Sequence, residues 1–119
     1  MRIFSRSINI PSLATDGDGV LNRTVTSDPG HLLLSGVLNK KQQTDVVERL
    51  FEPDLMTDYG IRCLSLNDAN FDSRAYQRGS IWPHDNWIIA RGLRENGFKN
   101  FSVPFLPHSE QDMHNPALL

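Results

Sequence analysis

Cysteine is nearly missing from this sequence. Cys63 is the only one among 119 residues, which excludes an internal disulfide framework and a cysteine-based zinc site. Set beside apolar Ile61 and Leu64, it reads as a packed side chain rather than a nucleophile. A dominant charge is missing too: 12 Lys and Arg against 14 Asp and Glu leave a net charge of −2. That balance offers no electrostatic footprint for nucleic acid or for an anionic membrane. No apolar run approaches the roughly 20 residues of a membrane-spanning helix. The basic start, MRIFSRSINIPSL, has an apolar stretch too short and too interrupted for a signal peptide. A cytoplasmic protein is therefore expected. Rossmann, P-loop and HExxH patterns are absent, and no metal or cofactor is expected. With 39% of residues hydrophobic and 8 glycines, the chain has a globular composition and room for at most one domain.

What is there concentrates between Tyr76 and Phe98, YQRGSIWPHDNWIIARGLRENGF. Pro83 follows a Gly79-Ser80 turn and stands where a first helical residue belongs, since its absent N–H costs nothing there. Gly97 is a left-handed stop. A helix over Pro83 to Asn96 follows, with Trp82, His84, Asp85 and Asn86 at its N-terminal end. At 100° per residue, Ile88, Ile89, Ala90, Gly92 and Leu93 sweep a wide apolar arc. Gly92 costs about 1 kcal/mol of helix propensity against alanine, so a close neighbour is expected to require it. Trp87 falls among the charged residues and calls for another packing partner on that side.

Upstream, Asp16-Gly17-Asp18-Gly19 signals a tight turn. It shares oxygen ligands at alternate positions with a calcium loop, but Val20 and Leu21 occupy the next places of that pattern. Thr26-Ser27-Asp28-Pro29 reads as a helix start, with a hydroxyl or carboxylate cap before proline. The following Gly30 to Leu38 is apolar or small all round, which predicts a helix buried on every side. Asn39 and Gln42 form a capping-box pair ahead of an amphipathic helix from Lys40 to about Phe51. An apolar helix, a short link and an amphipathic helix make an inner-plus-outer hairpin. Asp54 to Arg78 is a long, turn-rich connection with a short extended piece at Tyr59 to Ser65, and its length suits a rim loop shaping a site. Residues 102–119, with Pro104, Pro107 and Pro116, read as a divergent or disordered tail after a helical domain of residues 1–101.

Several of these words occur together in a known family. Gly79-Ser80-Ile81-Trp82-Pro83-His84-Asp85-Asn86, with Ile89-Ala90 and Gly92-Leu93, resembles a late barrel segment of amylo-α-1,6-glucosidase-like glycoside hydrolases. These belong to the six-hairpin, (α/α)6-toroid glycosidases, which include glycogen debranching and mannosylglycerate hydrolase-like enzymes. Tyr59-Gly60-Ile61-Arg62 with Leu64-Ser65, Asp16-Gly17-Asp18 and Thr26-Ser27-Asp28-Pro29-Gly30-His31 fit the same order, so the resemblance covers about residues 14–98. It implies a mainly α fold, part of an (α/α)6 toroid and incomplete as given.

The resemblance also implies inverting hydrolysis by two carboxyl groups roughly 6.5–9.5 Å apart, one protonating the leaving oxygen and one activating water. In the family pattern the acid precedes the matched region and the base follows it, and Glu110 has no matching surroundings. No catalytic residue is therefore assigned. What remains is one wall of a sugar pocket. Trp82 would offer a platform to a glucose ring, with His84 and Asp85 bonding hydroxyls and Tyr76, Arg78 and His31 at the rim. Plainer roles stand beside these. Asp85 suits a helix start for about 0.3–1 kcal/mol of dipole interaction alone. Trp82 also suits a hydrophobic staple, Arg78 a solvated ion pair and His31 a structural hydrogen bond. The expected partners are an oligosaccharide or glycan and the missing remainder of the barrel. The alternative function is a non-catalytic carbohydrate-binding or complementing helical module.

Overall fold

Trp82 is extended (φ −100°, ψ 121°) and Pro83 opens α3, which runs Pro83–Glu95 and stops at Asn96. Gly97 follows in the left-handed region at φ 80°. The structure, a computed structural model, describes residues 16–20, 22 and 24–104. The readings of residues 1–15 and of the tail beyond Pro104, Glu110 included, lie outside the described residues. Before α3 come a 3-10 turn at Asp28–His31, α1 (Leu32–Ser35), α2 (Lys40–Leu50), and a hairpin of β1 (Met56–Thr57) and β2 (Gly60–Ile61). The hairpin is antiparallel, pairing Met56 with Ile61 and Thr57 with Gly60. The described architecture is mainly helical.

Ile89, Gly92 and Leu93 of α3 are buried. A Cβ on Gly92 would lie 2.7 Å from Cβ of Leu33, which is why glycine stands there. Alanine would gain about 1 kcal/mol of helix propensity but meet an overpacking cost of about 1–3 kcal/mol, so the glycine is favoured on balance. Trp87 finds its neighbours on its own helix, with the Arg91 guanidinium 5.7 Å from the ring centre and the His84 ring stacked at 6.4 Å.

The first helix departs from expectation. Instead of a buried helix over Gly30 to Leu38, the chain makes a 3-10 turn and one short α-helical stretch ending at Gly36, φ 78°. Ser35 explains the stop: its hydroxyl donates to the Leu32 carbonyl at 2.7 Å and accepts the Val37 N–H at 3.3 Å. Such local bonds compete with helix continuation. Nor is the segment buried all round. Leu33 and Leu38 are in the core, whereas Leu34 is 39% and Val37 61% exposed.

The second helix follows its sequence signals. Asn39 Oδ1 accepts the Gln42 N–H at 2.8 Å, and Gln42 Oε1 accepts the Asn39 N–H at 2.9 Å. Val46, Val47 and Leu50 are buried on one face. Phe51 lies just past the helix, edge-on to Phe101 at 4.9 Å. These side chains join Leu33, Leu38, Leu55, Ile61, Ile89 and Leu93 in one core, which also takes in Val103. Asn96 ties the three helices together. Its Nδ2 donates to the carbonyls of Leu33 (2.6 Å) and Gly92 (2.7 Å), and its Oδ1 accepts from Gln43 (3.0 Å).

One ion pair holds the connection after α2. Arg49 donates to both oxygens of Asp54 at 2.7 Å, and the Ser65 hydroxyl donates to Oδ2 of the same carboxylate. The Arg49 guanidinium holds the Asp54 carboxyl below its ordinary range against the opposing effect of burial, with Ser65 adding to the lowering. A carboxylate whose folded pKa lies below its unfolded value stabilises the fold above about pH 4. That contribution is lost as pH falls through the folded value. Thermal melts against pH should therefore fall steeply below about pH 4, and Asp54→Asn should flatten that limb. Arg49→Ala, which strands a buried carboxylate, should cost about 3 kcal/mol at neutral pH in the same melts.

Candidate functional site

The site is built on three extended stretches. Thr26 bridges to Leu64 and Arg62 to Ile81, both antiparallel. Ser65 N–H donates to the Val25 carbonyl and Cys63 N–H to the Ser80 carbonyl, each at 2.9 Å. The Cys63 sulfur accepts the Gly79 N–H at 3.4 Å, so the lone thiol secures the turn that leads into α3. A Cβ at Gly79 (φ 132°) would fall 2.2 Å from the Phe71 ring, so only glycine fits that turn.

Asn86 joins this floor to the helix. It is 1% exposed. Its Oδ1 accepts the Ile61 N–H at 2.7 Å, and its Nδ2 donates to the carbonyls of Ile61 (3.0 Å) and Trp82 (2.9 Å). One amide side chain thus satisfies both backbone polar groups of Ile61, as a further strand would. Gly60 (φ 138°) permits the approach, since a Cβ there would come within 2.8 Å of Asn86 Oδ1.

Above the floor opens a cleft of about 570 Å³. Thr24, Thr26, Ser27 and Asp28 line one part of it, and Cys63 and Leu64 another. Tyr76, Gln77, Trp82 and Asp85 complete it. Tyr76 and Trp82 meet edge to face, ring centres 4.4 Å apart and planes at 87°. Asp85 is held on both oxygens: Oδ2 accepts from the Ser27 hydroxyl at 2.5 Å, and Oδ1 accepts from His31 Nε2. Its side chain is 14% exposed. Ser27 thereby serves a partner 58 residues away, and makes no capping bond to its own helix.

Of the six residues expected in a sugar pocket, the structure brings Tyr76, Trp82 and Asp85 to the cleft, and His31 joins through Asp85. His84 and Arg78 are not brought there. His84 is exposed and stacks on Trp87, turned along α3. Arg78 lies 3.8 Å from Asp72 in an exposed ion pair. Thr24, Thr26, Ser27, Asp28 and Gln77 also line the cleft and were not singled out for it from sequence. Their hydroxyl-rich Thr-Ser-Asp run was the available signal, and its local capping grammar hid the long-range role. Among the described residues no group of three His, Cys, Asp or Glu gathers at metal-binding distance, and no helix is long and apolar enough to cross a membrane.

In sequence and in fold the chain is similar to glycoside hydrolases. The mannosylglycerate hydrolase MGH1-like glycoside hydrolase domain matches residues 20–115, and the chain belongs to this family. The match runs past Phe98, where the pattern fades to the eye. A mannosylglycerate hydrolase of family GH63 from Thermus thermophilus, solved with Tris, superposes with a TM-score of 0.70 at 22% identity over 82% of this chain. The same enzyme with glucose gives 0.67 at 22% identity over 82%. An uncharacterised conserved protein from that organism gives 0.71 at 19% over 82%. A probable mannosyl-oligosaccharide glucosidase of Schizosaccharomyces pombe is 44% identical over 46 residues, 38% of this chain. The chain spans about a quarter of the solved structures (24%, 25% and 24%) and 6% of the Schizosaccharomyces pombe protein.

Asn86→Ala should leave the buried N–H and C=O of Ile61 without their partner, at about 1–3 kcal/mol for each unpaired group. Chemical denaturation should report the loss, and amide exchange at Ile61 should accelerate more than exchange within α2.

Proposed function

We propose that this chain supplies one wall of the sugar pocket of a six-hairpin, (α/α)6 glycoside hydrolase that cleaves α-glucosidic bonds, amylo-α-1,6-glucosidase-like in its linkage, with inversion. The observation that carries this reading is the cleft itself, where an aromatic pair, Tyr76 and Trp82, shares one concave surface with the hydroxyls and carboxylates of Thr26, Ser27, Asp28 and Asp85. A pyranose has an apolar ring face and a rim of hydroxyls, and an aromatic platform beside hydrogen-bonding groups matches both. Membership of the family supports the reading.

In an inverting reaction one carboxylic acid protonates the leaving oxygen while a carboxylate directs water to the opposite face of the sugar. Neither role falls to Asp85, whose two oxygens already hold Ser27 and His31. The chain binds and orients; in the family pattern the acid precedes and the base follows the stretch of resemblance at residues 14–98. Methyl α-glucoside, titrated calorimetrically into the 119-residue chain, should bind weakly, and Trp82→Ala should weaken it by about tenfold or more. An unchanged affinity in Trp82→Ala would count against the platform.

The second reading is a non-catalytic module that complements the remainder of a toroid, and the exposed apolar pair Leu34 and Val37 favours it. Sedimentation velocity should then show concentration-dependent association that the double substitution Leu34→Lys, Val37→Lys abolishes.

A further inference from the structure

Asn96 carries more of this fold than its place at the end of a helix suggests, and its neighbour makes it chemically vulnerable. It is the one asparagine in the sequence that glycine follows. Its amide nitrogen donates to the carbonyls of Leu33 and Gly92, and its amide oxygen accepts from Gln43. One side chain therefore joins α1, α2 and α3. Gly97 comes next in the left-handed region, at φ 80°, where a Cβ would meet nothing within 4 Å. The glycine is there for its backbone conformation and not for want of space. Lacking a Cβ, it also leaves its own nitrogen unshielded toward the Asn96 side chain.

We propose that Asn96 is a site of spontaneous deamidation which the fold holds unreactive, so that its conversion marks and destabilises chains that have opened. The chemistry needs only water. The Gly97 nitrogen attacks Cγ of Asn96 and gives up its proton. A new N–Cγ bond closes a cyclic imide, the Cγ–Nδ2 bond breaks, and the amide nitrogen leaves as ammonia. Water then opens the imide at one carbonyl or the other, leaving aspartate or isoaspartate.

The folded chain opposes the first step in three ways. At ψ 10° the Gly97 nitrogen nearly eclipses the Asn96 nitrogen and is turned away from Cβ. Its N–H donates to the Arg94 carbonyl at 3.2 Å. Hydrogen bonds at both ends of the side-chain amide hold Cγ in place. All three lapse together when the end of α3 opens. The product cannot resume the old role. A carboxylate would set acceptor against acceptor at Leu33 and Gly92, and would put negative charge at the negative end of a helix. Lys40, whose ammonium donates to the Asn96 carbonyl at 3.1 Å, offsets the charge but not the lost donors. Isoaspartate adds a methylene to the main chain where the left-handed stop must form.

The test incubates the full chain at mildly alkaline pH, folded and in guanidinium chloride, and follows the tryptic peptide Glu95–Lys99 by mass spectrometry. Conversion in denaturant should run at least about tenfold faster than in the folded chain. Equal rates would overturn the protection by the fold, and that comparison needs no variant. Gly97→Ala should slow conversion in denaturant several-fold, where its folding is immaterial. An undiminished rate there would overturn the assignment of the Gly97 nitrogen as the attacking group. Asn96→Asp, which reproduces one product, should lower the melting temperature by at least about 5 °C. Converted chain, returned to native conditions, should likewise melt below fresh chain. A converted chain and an Asn96→Asp variant that both melt with the wild type would overturn the destabilisation.

Discussion

The Asn86 side chain is the bond on which the rest of the site depends. Three hydrogen bonds from one buried amide fix Ile61 and Trp82 relative to each other. In doing so they lock the middle of a long connection onto the first turn of a helix. A backbone group left unpaired in that environment costs about 1–3 kcal/mol, which is large against a typical domain stability of about 5–15 kcal/mol. No hydrophobic contact substitutes for it, because dispersion does not satisfy a buried N–H. The two-residue strands around Ile61 are too short to hold themselves, and they persist because a helix lends them a partner.

The cleft inherits this style of construction. Its walls are aligned by side chains reaching across the sequence, Ser27 to Asp85 and Cys63 to the Gly79 amide. Glycine appears where the backbone must come closest, at Gly60 beneath Asn86 and at Gly79 beneath Phe71. On the opposite account, Leu34 and Val37 remain in solvent beside a well-packed core.

What the sequence disclosed was what local rules govern. Pro83 and Gly97 bracketed α3, Asn39 and Gln42 announced α2, and Gly92 announced a close neighbour that proved to be Leu33. The first helix was misjudged because its apolar pattern outweighed one hydroxyl: Ser35 bonds back to Leu32 and Gly36 turns left-handed. Tyr76, Trp82 and Asp85 were legible as cleft residues because they sit in a dense run of unusual chemistry. Ser27 and Asp28 were not, because a Ser-Asp-Pro sequence is also how a helix begins. Nothing in residues 26–29 records that Asp85 will stand beside them. His84 and Arg78 lie in the same run of sequence but do not line the cleft, His84 stacking on Trp87 and Arg78 facing Asp72.

The distance along the chain between the two sides of the cleft has a thermodynamic consequence. Asp28 and Trp82 are 54 positions apart (82 − 28), and both line the same cavity. A ligand held between them is in effect a removable cross-link. It closes a loop about as long as many disulfides do, but reversibly and in proportion to its concentration. At a hundredfold excess over its dissociation constant such a ligand adds about 2.7 kcal/mol to the folded state. Occupancy of the cleft and integrity of the connection between α2 and α3 are then one equilibrium. Under the proposed sugar reading, a sugar solution becomes a folding condition for this chain alongside temperature and pH.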